Sequence, residues 1–284
     1  MRFEEVPLTF ACGGAQLVGI LHRPARPLGC GVVVVVGAPQ YRTGSHRHFA
    51  LLARDLAGAG FPVLRFDYRG MGDSDGEFVG FEGVGEDIKA AVDSIMDAVS
   101  GLRDVVLWGL CDGASAISFY AARDPRVSGI VLVNPWVRSE ASLAQARISH
   151  YYRGRLLSAD FWRKAARGKL DLKRSAGELI SSVRSVLGGR APRDRATDKT
   201  EPLPVRVARS VKGFRGRVLI VLSEADLTAQ EFRAAVLQSA MMAGWLDRPS
   251  VTVKRLEAAN HTYSTREWRG QVHRWTIEWL KQAG

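Results

Sequence analysis

Cys111 stands in the stretch Trp108-Gly109-Leu110-Cys111-Asp112-Gly113-Ala114, at the end of an apolar run and the start of a helix-like one. Glycines two before and two after a reactive side chain are the pattern of a nucleophile elbow, with sulfur where a serine oxygen is commoner. The chemistry implied is attack on an acyl carbonyl, which a thiol performs well. The turn strains the central residue and packs a helix close against a strand, so Gly109 and Gly113 leave space that side chains would fill. A helix that starts directly after Cys111 points its N–H groups and dipole at the sulfur, favouring thiolate over thiol. The plain alternative is a buried cysteine in a glycine-flanked turn.

Such a nucleophile needs a base, and the base needs an orienting acid. In this chain order the acid follows a later strand and the histidine follows the last one. Ser223-Glu224-Ala225-Asp226-Leu227-Thr228 lies after the strand-like residues 217–222. Asp226 is the preferred acid, because it precedes a helix and a short side chain orients better; Glu224 is its competitor. A helix cap at Asp226 or Thr228 is the plain reading. His261, in Ala258-Ala259-Asn260-His261-Thr262, would take the thiol proton while Asp226 fixes its tautomer. The other five histidines fit this position less well.

A tetrahedral oxyanion needs two backbone donors. The N–H of Asp112, directly after Cys111, is one. The loop Gly37-Ala38-Pro39-Gln40-Tyr41-Arg42 should supply the other; Pro39 has no N–H, which leaves Ala38 or Gln40, with Gln40 preferred. Thr43-Gly44-Ser45-His46-Arg47 follows and could hold a substrate, or Ser45 could simply cap a helix. Gly72-Asp73-Ser74-Asp75-Gly76 also matches G-x-S-x-G, yet no helical pattern follows it, so Ser74 reads as a loop residue.

These residues must be positioned by alternating strands and helices. Residues 16–22 read as an early strand, and residues 31–37, with five consecutive valines, as a strand buried on both faces. A helix over 46–59, a strand over 61–67 and an amphipathic helix over 81–99 follow. The strand 104–108 leads into the elbow, the helix 114–122 leaves it, and 129–133 is the next strand. Strands at 217–222 and 250–256 are followed by helices at 228–243 and 268–282. Repeated strand–helix units imply an α/β fold, a mostly parallel sheet with helices on both faces. Residues 1–134 and 213–284 read as its core, and 135–212 as an inserted, basic helical cap.

Composition narrows the classes. With 46% hydrophobic and 24% charged residues the chain is globular, not disordered. The apolar runs are too short to cross a bilayer and the start shows no signal-peptide pattern, so a cytoplasmic location is the expectation. Three scattered cysteines, Cys12, Cys30 and Cys111, argue against a disulfide framework or a zinc site. Neither a metal nor a cofactor is expected. The net charge of +11 concentrates between Arg138 and Arg215, and the rest of the chain is near neutral. Such a segment suits an anionic acyl substrate or peripheral contact with an anionic membrane. Nucleic acid is not expected, because the aromatics there (Tyr151, Tyr152, Phe161, Trp162) have the spacing of a packed cap core. No oligomeric state follows from the sequence.

Over nearly its whole length the chain resembles the α/β-hydrolase superfamily, cap included, and Asp67-Tyr68-Arg69-Gly70-Met71-Gly72-Asp73-Ser74 is similar to that superfamily's loop after the fourth strand. Residues 37–47, Gly109-Leu110-Cys111-Asp112-Gly113-Ala114 and Asp226-Leu227-Thr228-Ala229 resemble the exosortase A system-associated hydrolases, type 1. The resemblance implies a bacterial protein linked to exopolysaccharide production and protein sorting, with Cys111 as nucleophile, Asp226 as acid and His261 as base. Glu224-Ala225 departs from that pattern, where Gly-Asn is expected. Sulfur nucleophiles also occur in dienelactone hydrolases and polyester synthases, which the elbow resembles locally. The expected activity is hydrolysis of an ester or thioester; the alternatives are acyl transfer by the same triad and a non-catalytic binding module with a basic cap.

Overall fold

Residues 32–36, all valine, lie at the centre of the molecule. The computed structural model, which describes residues 2–37, 40–138 and 201–282, places them on and just after strand β3 (Cys30–Val35), fully buried. Burial on both faces suits β-branched side chains and demands a helical layer on each side. The other strands are β1 (Phe3–Cys12), β2 (Ala15–Pro24), β4 (Val63–Phe66), β5 (Asp104–Leu110), β6 (Val127–Val133), β7 (Arg217–Ser223) and β8 (Val251–Leu256). They form one sheet in the order β1-β2-β4-β3-β5-β6-β7-β8. β1 and β2 are antiparallel to each other, and β2 is antiparallel to β4; the pairings from β4 through β8 are parallel.

The strand order turns back on itself at β3, which lies between β4 and β5. At such a switch point the loops leaving the carboxyl ends diverge and open a crevice. Val35 pairs with Gly109, so the loop after β3 and the turn after β5 leave the sheet side by side.

Among the described residues the α-helices are α1 (His48–Gly58), α2 (Gly85–Ala98), α3 (Asp112–Tyr120), α4 (Leu203–Gly213), α5 (Leu227–Phe232) and α6 (Arg266–Lys281). α1 packs with α6, while α2 and α4 both pack with α3, giving two layers. On α2 the buried stripe is Ile88, Ala91, Val92 and Ile95, a helical spacing, with Glu86 and Asp87 in the first turn complementing the dipole. Among the described residues no helix is long and apolar enough to cross a membrane.

Two elements differ from the sequence reading. β1 was not expected; it is an edge strand carrying Glu4 and Glu5, joined to β2 by the left-handed pair Gly13–Gly14 at φ 56° and 84°. The helix expected over 228–243 is instead α5, a wider π turn over Arg233–Leu237 and a tight turn over Ala240–Met242. That path buries Phe232, Val236, Leu237 and Met242, whose spacing no single straight helix would serve. Of the span expected as a cap, residues 139–200, which include His150, lie outside the described residues. Its end, α4, contributes Val207, Ala208 and Val211 to the main core.

Candidate active site

Cys111 occupies a turn that its neighbours force on it. Its backbone sits at φ 62°, ψ −127°, a conformation costing a non-glycine residue on the order of 1–3 kcal/mol. The turn is held from several sides. The Cys111 N–H donates to Val133 O at 2.9 Å, and its carbonyl accepts from Ala114 and Trp136, each at 3.1 Å, and from Ser115 at 3.3 Å. A Cβ on Gly113 would lie 2.5 Å from Val35 O, and one on Gly109 would lie 2.7 Å from the Gly113 carbonyl carbon. Both positions must therefore be glycine for the helix to reach the strand. A Cβ on Gly37 would collide with the Asp112 carboxylate. Cys111 is half-buried.

Asp226 leaves β7 and caps α5. Its Oδ1 accepts from Thr228 N–H at 3.3 Å and its Oδ2 from Ala229 N–H at 3.2 Å. The same Oδ2 accepts from Nδ1 of His261 at 2.8 Å. The cap of α5 and the partner of the imidazole are thus one buried carboxylate. Glu224 is exposed, and its backbone carbonyl accepts from the Gln230 side chain; the carboxylate facing the imidazole is that of Asp226.

His261 joins the two halves. With Nδ1 engaged by Asp226, the ring also lies within the electrostatic reach of Cys111. Burial would favour the neutral ring, but the hydrogen bond and charge of Asp226, together with the nearby Cys111, outweigh it and raise the pKa from 6.5 to about 10. Asp226 and His261, 35 residues apart in the chain, therefore meet at the carboxyl edge of the sheet, where the turn holding Cys111 also lies.

The loop after β3, expected to supply an oxyanion donor, holds the Gln40 N–H in another bond. Asp112 opens α3 directly after Cys111, where its N–H lies at the positive end of the helix dipole. The Gln40 N–H, however, donates to Gly37 O at 2.9 Å and closes a tight turn, while its side-chain Oε1 accepts from Ser45 N–H at 3.1 Å. Only opening of that turn would release the Gln40 donor; Ala38 and Pro39 lie outside the described residues. The loop is anchored by Arg42. Its N–H donates to Asp67 Oδ1 at 2.6 Å and its guanidinium pairs with Asp67 and Asp73. The fully buried Asp67 also accepts from Asp73 N–H at 3.1 Å, which ties the loops after β3 and β4 together.

The second G-x-S-x-G stretch is structural. Ser74 Oγ donates to Asp67 O at 2.9 Å and accepts from Val18 N–H at 2.8 Å, pinning its loop to β2. The remaining described histidines that are buried are committed elsewhere. His22 accepts from Arg65 Nε at 2.9 Å, and His273 bonds Asp55 at 2.6 Å and stacks on His48 at 5.2 Å between ring centres. Asn134 and Trp136, just after β6, were not singled out in the sequence. Trp136 supplies the N–H to Cys111 O and carries the Arg138 guanidinium over its ring at 4.4 Å. The signal available for both was the Asn134-Pro135 pair, a turn former at a strand end.

The profile of the Hydrolase_4 family, described as serine aminopeptidase, S33, matches residues 32–176, slightly more than half of the chain.

The chain belongs to this family.

It is an α/β hydrolase, and its elbow lies inside the matched residues with cysteine at the centre. No curated protein matches this α/β hydrolase. Several solved structures share its fold. The esterase Pf2001 of Pyrococcus furiosus is 16% identical at a TM-score of 0.64, over 99% of this chain and 93% of that one. Est1E of Butyrivibrio proteoclasticus, solved with ferulic acid bound, is 18% identical at a TM-score of 0.61, over 97% of this chain and 98% of that one. A dienelactone hydrolase from Anabaena variabilis is 14% identical at a TM-score of 0.61, with 99% of each chain covered. At these identities the likeness is one of fold.

Proposed function

We propose that this α/β hydrolase cleaves an ester or thioester through an acyl intermediate on Cys111. The observation that carries this reading is the Asp226–His261 bond of 2.8 Å, made by a ring whose proton affinity the nearby Cys111 also raises. In the first half-reaction the Cys111 sulfur attacks the acyl carbonyl, and the thiol proton resides on His261. The tetrahedral oxyanion is met by the Asp112 N–H and by a donor from the loop after β3, either Ala38 or Gln40 once its turn opens. The intermediate collapses as the bond to the leaving oxygen or sulfur breaks, and His261 gives that atom its proton. Water then attacks the acyl-sulfur carbonyl, gives its proton to His261, and the acid leaves with Cys111 restored. Asp226 stays ionised throughout, holding the ring in one tautomer and stabilising its charge.

Tyr41 and Leu227, adjacent to Gln40 and Asp226, are large and exposed, which suits contact with an apolar acyl or aryl part. The basic stretch between Arg138 and Arg215 suits recruitment of an anionic substrate, or contact with an anionic membrane surface. Resemblance of three motifs to the exosortase A system-associated hydrolases supports a cytoplasmic substrate from exopolysaccharide production, an acylated glycan or an acyl thioester. The test is turnover of p-nitrophenyl acetate, p-nitrophenyl butyrate and short acyl-CoA thioesters by the wild type, C111A and H261A. The proposal expects turnover by the wild type and loss in both variants on the order of 10³-fold or more. Equal rates in all three proteins would refute it.

A further inference from the structure

Asn134 follows β6 with its backbone in the left-handed region, φ 42°, which asparagine tolerates better than most residues. It is fully buried, and its own N–H donates to Val221 O at 3.0 Å. Its side-chain oxygen accepts from Ser223 N–H at 2.8 Å and from the Tyr263 hydroxyl at 3.3 Å. Its amide nitrogen donates to Ser223 Oγ at 3.0 Å and to the carbonyl of His261 at 3.1 Å. Two donors and two acceptor sites are all an asparagine amide has, and all four are used. The orientation of the amide follows from its main-chain partners, since an N–H only donates and a carbonyl only accepts.

Those partners are the two arms of the Asp226–His261 pair. Ser223 ends β7, three residues before Asp226, and its Oγ in turn donates to Asn260 O at 3.2 Å. One side chain from a third strand thus grips the root of the acid loop and the backbone of the base itself. Side chains that complete every hydrogen bond in a buried network specify a single geometry, because any shift leaves a polar group unpaired.

We infer that Asn134 is a positioning residue that sets the height of His261 over Cys111 by clamping the His261 carbonyl to the end of β7. The inference rests on the reading of His261 as the base for Cys111. It acts through His261 and touches neither the sulfur nor the substrate. N134D keeps the acceptor oxygen for Ser223 and Tyr263, so the fold holds, but turns a second oxygen toward the His261 carbonyl. N134G keeps the left-handed backbone and removes the clamp altogether.

The experiment compares wild type, N134D, N134G, H261A and the H261A/N134D double variant. It reads p-nitrophenyl acetate turnover, iodoacetamide alkylation of Cys111 against pH, and the His261 ring titration by NMR. N134D should lower kcat about 10- to 100-fold with KM changed less than about 2-fold, as a small displacement of a catalytic group does. In the H261A background N134D should slow alkylation no further, since Asn134 then has nothing to position. In N134G the His261 titration should fall from about 10 toward 6.5. N134D turnover equal to an active wild type, or an equal N134D effect with and without His261, would overturn the inference. Absence of turnover in the wild type would count against the base reading, and an unshifted N134G titration would then overturn the positioning role by itself.

Discussion

Asp226 receives His261 on the same carboxylate oxygen that caps α5: Oδ2 lies 2.8 Å from His261 Nδ1 and 3.2 Å from Ala229 N. The helix end therefore aims the carboxylate that faces the imidazole. Rotation of the carboxylate away from the imidazole would also strip N–H groups at the start of the helix, so folding and orientation of the imidazole are coupled.

Replacing Asp226 should separate charge from shape. D226N retains a capping oxygen but presents the wrong tautomer partner to His261, and should reduce kcat on the order of 10⁴-fold, as loss of an orienting carboxylate does in such triads. E224Q should stay within about 2-fold of wild type, because Glu224 is exposed and off the imidazole. D226A should in addition lose the cap, about 1 kcal/mol in chemical denaturation. Steady-state kinetics and urea melts on the three variants check both parts.

The pH dependence of stability should show His261 on the alkaline side. Its pKa is about 10 in the folded protein against 6.5 unfolded. Below 6.5 both states hold the proton and the stabilisation is fully present; between 6.5 and 10 only the folded state holds it, so stability falls as pH rises. Urea denaturation from pH 6 to pH 10.5 should show wild type losing its advantage over H261Q as alkalinity increases. A constant difference between the two would contradict the coupling of Asp226 and Cys111 to the ring.

An opposite dependence should arise at His22. Burial, aided by the Arg65 charge and opposed by Glu5, lowers its pKa from 6.5 to about 4. Above 6.5 the neutral ring accepts the Arg65 hydrogen bond and the stabilisation is complete. Between 6.5 and 4 the unfolded chain gains a proton that the folded one refuses, so stability falls as pH falls. The loss approaches about 3 kcal/mol at its limit. H22Q, which keeps an acceptor for Arg65, should flatten the curve between pH 4 and pH 6.5.

Gly113 should tolerate no side chain. A methyl there would meet Val35 O at 2.5 Å, and neither the strand nor the helix can yield without moving Cys111. G113A should cost about 1–3 kcal/mol or more by overpacking and should slow ester turnover along with it. Thermal melts beside kcat measurements test the link. S74A, at the other G-x-S-x-G stretch, should leave kcat within about 2-fold of wild type, since Ser74 only ties a loop to β2.

Local pattern carried some of this architecture and long-range contact the rest. Cys111 was legible because the elbow's sterics are written in two neighbouring glycines, and β3 because five valines admit few environments. β1 was not, since an edge strand needs only one buried face and here carries Glu4, Glu5 and Pro7. The bond of the Gln40 N–H to Gly37 O was not legible, because whether that N–H faces the crevice or Gly37 O depends on a turn that the residue types leave open. Asn134 read as a turn residue before a proline. Its partner, the carbonyl of His261, lies 127 residues away in sequence, beyond the reach of periodicity or spacing.

The central claim is that Cys111 carries the acyl group. Wild type, H261A and C111A mixed with p-nitrophenyl butyrate and quenched on the millisecond scale can be read by intact-mass and peptide mass spectrometry. A butyryl adduct on the peptide containing Cys111, formed within one turnover by wild type and absent from C111A, is the predicted result. Turnover with no adduct on Cys111, or an adduct on another residue that persists in C111A, would contradict the account.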